Sequence, residues 1–340
     1  MPTILNLVVM SLLIGTYNPY WGHTYIAEGN GKIYALRSLA GGSSLCVFDK
    51  PKRASEEAFS ITTLDSLGEP LVEVTTPGKH SCHITLLARQ AVLADYTSGT
   101  VSLFDLDEDG IPQTNPQLIE FKGSGPHPTR QTSPHIHSSW LSPDGKMLLV
   151  VDLGCDCLYR YNVADGRVLP ATQRRIELPP GCGPRHCTFL QQGNLLYVAT
   201  ELSDEVLVYN TSDFTLLNRY VAHAENPNGG SHIVPSADGK YLYVSMRVSG
   251  TAGAERCRMK DCIAIFECLD GGKLNYLGHR ETGGHPRHFA ITKDGNNIVV
   301  ACRDDNRIDI YPLDKTSGMV GERIKTINTP SPAYVHEISN

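Results

Sequence analysis

The sequence predicts an all-β protein folded as a seven-bladed β-propeller. Three observations predict it. Short apolar runs recur along the chain, beginning near Ile33, Ala91, Leu148, Leu196, Leu242 and Ile298, roughly 46 to 58 residues apart, the period of a propeller blade. Most follow a tight turn built on glycine. Strand-like sequence also stands at both ends, Leu12 to Tyr17 and Ala333 to Ile338. Pairing the two in one blade would close the ring and remove the exposed sheet edges.

The repeating unit is clearest from Pro134 to Gly154, PHIHSSWLSPDGKMLLVVDLG. It reads as an inner strand, a turn and a second strand. In Ser142-Pro143-Asp144-Gly145 the proline presets φ and the glycine accepts a positive φ. Comparable turns stand at Asn30-Gly31, Gln192-Gly193, Asp238-Gly239 and Asp294-Gly295. The second copy has Arg89-Gln90 there instead. Each second strand leads to a third: LCVFD, VSLFDLD, LYRYNV, VLVYN, IAIFECLD and IDIYPLD. No long segment has helical periodicity.

We read residues 1–340 as one domain, because a boundary would cut a closed ring. The opening MPTILNLVVMSLLIG has neither a positive n-region nor an A-x-A-like cleavage site, and it is too short to cross a bilayer. Residues 1–9 are expected to be a disordered extension, with Met10 as an alternative start. Pro51 to Pro77 is expected to be a polar loop, and Ser249 to Asp261 an insertion between two strands of the fifth copy.

The net charge is −6 with no basic run, which argues against a nucleic-acid partner. Ten cysteines are scattered without paired CxxC spacing, so reduced thiols, a cytoplasmic location and no structural zinc are expected. No HExxH or comparable spacing indicates a catalytic metal, and no cofactor is expected.

A second periodicity concerns histidine. His23, His83, His137, His186, His232, His288 and His336 precede the second strands, or take the matching place in the last strand. The expectation is one histidine per blade at the same inner-strand position, lining a wet channel. His135 and His137, two apart on a strand, share a face. Arg185 and Arg287 each precede a histidine of this set, and Glu201 and Arg247 lie just past second strands. Three guanidinium forks, Arg185, Arg247 and Arg287, suit a carboxylate or phosphate. Asp95, Asp152 and Arg303 are expected to form ion pairs between blades.

Several pieces carry a family resemblance: LLIGTY, ADYTSGTVSLFDLDEDG, GSGPHPTRQTSPHIHSSWLSPDGKMLLVVDLG, LPPGCGPRHCTF, LYVATELSDEVLVYN, DGKYLYVSMR and TGGHPRHFAITKDGNNIVVA. With these the chain resembles the lactonase family of seven-bladed propellers, from about Leu12 to Asp314. That family includes propeller-type 6-phosphogluconolactonases and the fungal carboxy-cis,cis-muconate lactonising enzymes. The resemblance implies an acid/base role for His137, and substrate-binding or catalytic roles for Arg185, Glu201 and Arg247. Met246 stands where the family usually carries Asn, and the first copy is compressed.

Opening a lactone needs an activated water and stabilised charge on the carbonyl oxygen. A neutral histidine suits the first task and arginines the second. We therefore expect catalytic roles for His137, Glu201 and Arg185. Substrate-binding roles are expected for His135, His186, Arg247, Arg287 and His288. The expected activity is hydrolysis of a sugar lactone, 6-phosphogluconolactone first, by a monomer or weak dimer whose partner is a small anionic lactone. A muconate-type cycloisomerase and a non-enzymatic interaction platform are the alternatives, since fold alone does not fix function.

Overall fold

The structure is a computed structural model that describes residues 10–16, 21–39, 42–50, 59–63, 67, 69–222, 229–247 and 260–338. The calls on residues 1–9 and on most of the 249–261 insertion lie outside the described residues.

The fold is an all-β propeller. Six four-stranded antiparallel sheets follow one another along the chain. Their inner strands are β2 (Trp21–Gly29), β7 (Ser81–Leu86), β11 (Ile136–Leu141), β15 (Pro184–Leu190), β19 (Gly229–Pro235) and β23 (Pro286–Ile291). A three-stranded sheet joins β27 (Pro332–Glu337), β1 (Met10–Thr16) and β5 (Phe59–Thr63). Strands β1 and β27 run antiparallel, with Leu13 opposite His336. Successive inner strands lie against each other from β2 to β23, and β27 touches both β23 and β2.

The second strands form the core because both faces of each sheet are covered. Strand β12 (Met147–Asp152) is buried from Leu148 onwards, and β16 (Leu195–Thr200) is buried throughout. Such strands read as continuous apolar runs rather than alternating ones. Leu149, Val151, Leu158, Leu196, Val198 and Leu207 share one cluster between neighbouring sheets. Each buried aliphatic side chain of this kind contributes about 1.5–3 kcal/mol. At the turn before β12, Gly145 has φ 70° and donates its N–H to the Ser142 carbonyl at 2.9 Å.

The expectation of a loop from Pro51 to Pro77 is corrected. β5 lies parallel to β1, and β6 (Val72–Thr76) is the outer strand beside β4 (Gly42–Asp49). Val72 and Val74 alternate with Glu73 and Thr75, so one face packs and the other meets solvent.

The inner strands share an irregularity that places the site. The pairing shifts between Ser81 and His83, Ile136 and Ser138, Pro184 and His186, Gly230 and Ile233, and Pro286 and His288. Each shift is a β-bulge, in which two residues oppose one on the partner. Cys82, His137, Arg185 and Arg287 are the extra residues. A bulge turns two consecutive side chains to one side instead of opposite sides, which gives each inner strand two neighbouring positions near the axis.

Candidate active site

The bulges divide the histidines into two layers. His83, His186 and His288 pair with Ala94, Ala199 and Ala301 on their second strands, while the His232 N–H donates to Ser245 Oγ at 3.0 Å. These four share one register, where β2 and β27 carry Tyr25 and Tyr334. His137 does not belong to it. It is the bulge residue, and Ser138 takes the register opposite Val151. His23 pairs with Arg37, ahead of the β2 bulge, and His336 pairs with Leu13. The expectation of seven equivalent histidines is therefore corrected to four: His137 stands one residue, and His23 and His336 two residues, away from that register.

The four histidines do not line a wet channel. They plug it. Ring centroids run from Tyr25 to His83 at 4.3 Å, His83 to His186 at 5.6 Å, and His186 to His232 at 5.0 Å. The circuit continues from His232 to His288 at 4.0 Å, His288 to Tyr334 at 3.9 Å, and Tyr334 back to Tyr25 at 4.2 Å. Hydrogen bonds tie Tyr25 Oη to His83 Nε2 and His186 Nδ1 to His232 Nδ1, both at 2.8 Å. All six rings are buried. Burial pushes each imidazole below its ordinary pKa, His232 to about 3, with Arg185 adding to the shift. The histidines are therefore neutral, as a stacked, desolvated ring requires.

Above the plug lies a cleft of about 320 Å³ lined by Cys82, Tyr96, Arg130, His137, Glu201, Arg247 and Arg287, with His80, Ser81 and Thr97 at its edge. The bulge residues Cys82, His137 and Arg287 form part of its wall. Glu201 is the hub. Its Oε2 lies 3.0 Å from Arg185 Nε and accepts from Arg247 Nη2 at 2.8 Å, while Oε1 accepts from Arg130 Nη2 at 2.5 Å. Burial would raise the Glu201 pKa, but Arg247, Arg185, His137 and Arg130 outweigh it and hold the carboxyl well below the usual range. An anion pinned by three guanidinium groups is a poor proton acceptor. Glu201 acts as the counter-ion that keeps the arginines together.

The balance of charge is positive. Arg130, Arg185 and Arg247 hold one carboxylate, and Arg287 stands on the same cleft wall. Burial, Arg247 and Arg303 push Arg287 down to about 10, the response of a cation crowded by cations. His137 is 6% exposed, and its Nδ1 is sealed from solvent with no hydrogen-bond partner. Burial, then Arg185, lower its pKa well below the ordinary value, with Glu201 opposing. Its imidazole is neutral and free to take a proton.

The structure brings together five of the expected residues, His137, Arg185, Glu201, Arg247 and Arg287. His186 and His288 are instead in the plug beneath the cleft. His135 stacks on Tyr96 at 4.5 Å and places Nδ1 3.0 Å from the Tyr96 carbonyl oxygen, behind a wall residue rather than on the wall. Arg130, Tyr96 and Cys82 were not among the expected residues. Asp95 and Asp152 make no ion pair between blades: Asp95 accepts from Ser81, Thr100 and Ser102, and Asp152 accepts the N–H groups of His135, Gly154 and Cys155. Arg303 pairs with its neighbour Asp304. The nine described cysteines are all free thiols. Among the described residues, no group of three or more His, Cys, Asp or Glu side chains is placed to hold a metal ion. No described helix is long and apolar enough to cross a membrane.

A family model described as lactonase, 7-bladed beta-propeller, matches residues 26–337. The chain belongs to this lactonase family. A 6-phosphogluconolactonase from Bacillus subtilis is 28% identical to this lactonase over 331 residues, covering 93% of the chain and 88% of the relative. One from Formosa agariphila is 33% identical over 252 residues, covering 71% and 69%. A crystal structure from Bacteroides fragilis, provisionally named a 6-phosphogluconolactonase, superposes with a TM-score of 0.83 at 27% identity and covers all of both chains. In this lactonase the motif pieces PHIHS and YVSMR deliver His137 and Arg247 to one cleft, and GPRH places Arg185 behind its Glu201.

Proposed function

We propose that this lactonase hydrolyses 6-phosphogluconolactone to 6-phosphogluconate. One observation carries the reading: three guanidinium groups, one carboxylate and a neutral imidazole line a cleft closed at its base, and a fourth guanidinium, Arg185, backs the carboxylate. The excess positive charge calls for an anionic substrate. Arg287 would hold its phosphate as a planar two-pronged donor, with the Arg247 guanidinium on the same wall adding its charge. The named relatives and the buried Arg-His-Glu cluster support an enzyme over an interaction platform.

The chemistry follows from these groups. His137 takes a proton from water as the water oxygen bonds to the lactone carbonyl carbon. Charge developing on the carbonyl oxygen is stabilised by the guanidinium cluster, which Glu201 holds in place before the reaction begins. The bond from the carbonyl carbon to the ring oxygen then breaks. The ring oxygen leaves with the proton held by His137, giving a carboxylic acid that loses its remaining proton to solvent and becomes the new carboxylate. In this reading His137 is the catalytic base, and Arg185, bonded to Glu201 and to the Ser231 carbonyl behind the cleft wall, is a positioning residue. For Glu201 the role becomes positioning.

We also infer that the β27–β1–β5 sheet is the seventh blade and closes the ring, which the contacts of β27 with β23 and β2 support. Residues 1–340 then form one domain, acting in the cytoplasm as a monomer or weak dimer without a nucleic-acid partner.

The test is turnover of 6-phosphogluconolactone, corrected for spontaneous hydrolysis, beside unphosphorylated gluconolactone and carboxy-cis,cis-muconate. The phosphorylated lactone should be preferred by kcat/KM. Turnover of muconate alone, or of no lactone, defeats the reading.

A further inference from the structure

We propose that His285 is a positioning residue that fixes the Arg247 guanidinium for the anionic substrate; this rests on the function proposed above. Arg247 ends β20 (Tyr241–Arg247), and its side chain is 5% exposed. Glu201 Oε2 accepts from Nη2 at 2.8 Å, and Nη1 lies 3.0 Å from His285 Nε2. Arginine has only donors, so His285 Nε2 presents its lone pair and the hydrogen sits on Nδ1. Asp304 Oδ2 lies 3.8 Å from Nδ1, and Arg303 Nη2 lies 3.3 Å from it. With the hydrogen on Nδ1, Arg303 is an unfavourable neighbour, and the Asp304 carboxylate faces both and offsets it. Two fixed contacts, one at each end of the fork, determine how Arg247 faces the cleft.

The backbone holds His285 where it can reach Arg247. His285 has φ 56°, in the left-handed region that a side chain disfavours. The same repeat position in the blade of β15 is Gly183, also at φ 56°. The two positions are equivalent because Pro184 and Pro286 pair with Thr200 and Cys302 in the same register. In each, the carbonyl accepts the N–H just past the second strand, from Glu201 at 2.8 Å and from Arg303 at 3.2 Å. Asp261 Oδ2 further pins the His285 N–H at 2.5 Å. His80 (φ 53°) and Ser331 (φ 39°) hold the same place in the blades of β7 and β27, so the left-handed turn belongs to the repeat, which accepts glycine without strain. What sets His285 apart is its contact with Arg247.

The decisive variant is His285→Gly, which relieves the backbone while removing the imidazole. We expect its thermal midpoint to stay level or rise, while kcat/KM for 6-phosphogluconolactone falls about 10- to 100-fold, the scale of one hydrogen bond to a charged group. The loss should fall mainly on KM. His285→Gln, which keeps an acceptor within reach of Nη1, should recover part of it. A crystal structure of His285→Gly should show Arg247 Nη1 displaced. A folded His285→Gly with kcat/KM within about twofold of wild type overturns the proposal, as does activity loss that merely follows loss of stability. Should wild type itself turn over no lactone, the proposed function fails. The positioning claim is then decided by the variant structure alone, and an unmoved Arg247 refutes it.

Discussion

Arg247 donates to Glu201 across 2.8 Å with both side chains almost wholly buried. Two further arginines share that carboxylate. Removing its charge leaves buried cations facing each other, and breaking a buried pair by deleting one partner costs about 3–5 kcal/mol. Glu201→Gln should therefore lower the urea midpoint as well as activity. A variant with wild-type stability would show that the cluster does not depend on its counter-ion.

His137→Ala should lower kcat about 10²- to 10⁴-fold, the usual loss when a proton acceptor is removed, with little change in KM. The acid limb of the wild-type kcat/KM profile adds a check. Burial lowers the His137 pKa, so the base stays deprotonated below the ordinary histidine range. Activity should persist as pH falls through about 6.5 and decline only below it. An acid limb above 6.5 would contradict the assignment of His137.

Arg287→Ala should mainly raise KM for the phosphorylated lactone and leave unphosphorylated gluconolactone less affected. Arg287→Lys should recover only part of the loss, since an ammonium cannot offer the planar fork. Equal losses on the two substrates would remove Arg287 from the phosphate subsite.

The plug makes folding stability pH-dependent. His83, His186, His232 and His288 all have folded-state pKa values below the ordinary 6.5. In the unfolded chain they protonate near that value. Their contribution is fully present above about pH 6.5 and is lost as pH falls below it, by up to about 1.4 kcal/mol per pH unit for each ring. Urea midpoints between pH 7 and pH 5 should drop steeply. A flat dependence would mean that the rings are not buried together.

Much of the fold was legible because its strongest signals are local. Leu148 to Val151 is an apolar run behind a Ser-Pro-Asp-Gly turn, and that unit recurs. Strand β5 was not legible: it pairs in parallel with β1, nearly fifty residues earlier in the chain, and nothing local marks such a pairing. The histidine register failed for a different reason. His137 stands 11 residues before Leu148 and His186 10 before Leu196, and in a bulged strand that single residue puts them in different layers. Arg130 sits in the RQ–PHIHS motif, but its role depends on reaching Glu201, 71 positions away. Side-chain reach from a loop has no sequence period.

The ring of six packed side chains across the axis has a consequence for traffic. The cleft has one door. Substrate enters and product departs by the same mouth, and for the proposed reaction the departing molecule carries one more negative charge than the one that arrived. It leaves against the pull of four guanidinium groups with no rear exit. Dissociation is then expected to be slowed by the same charges that bind the substrate, and accumulating 6-phosphogluconate to inhibit its own formation.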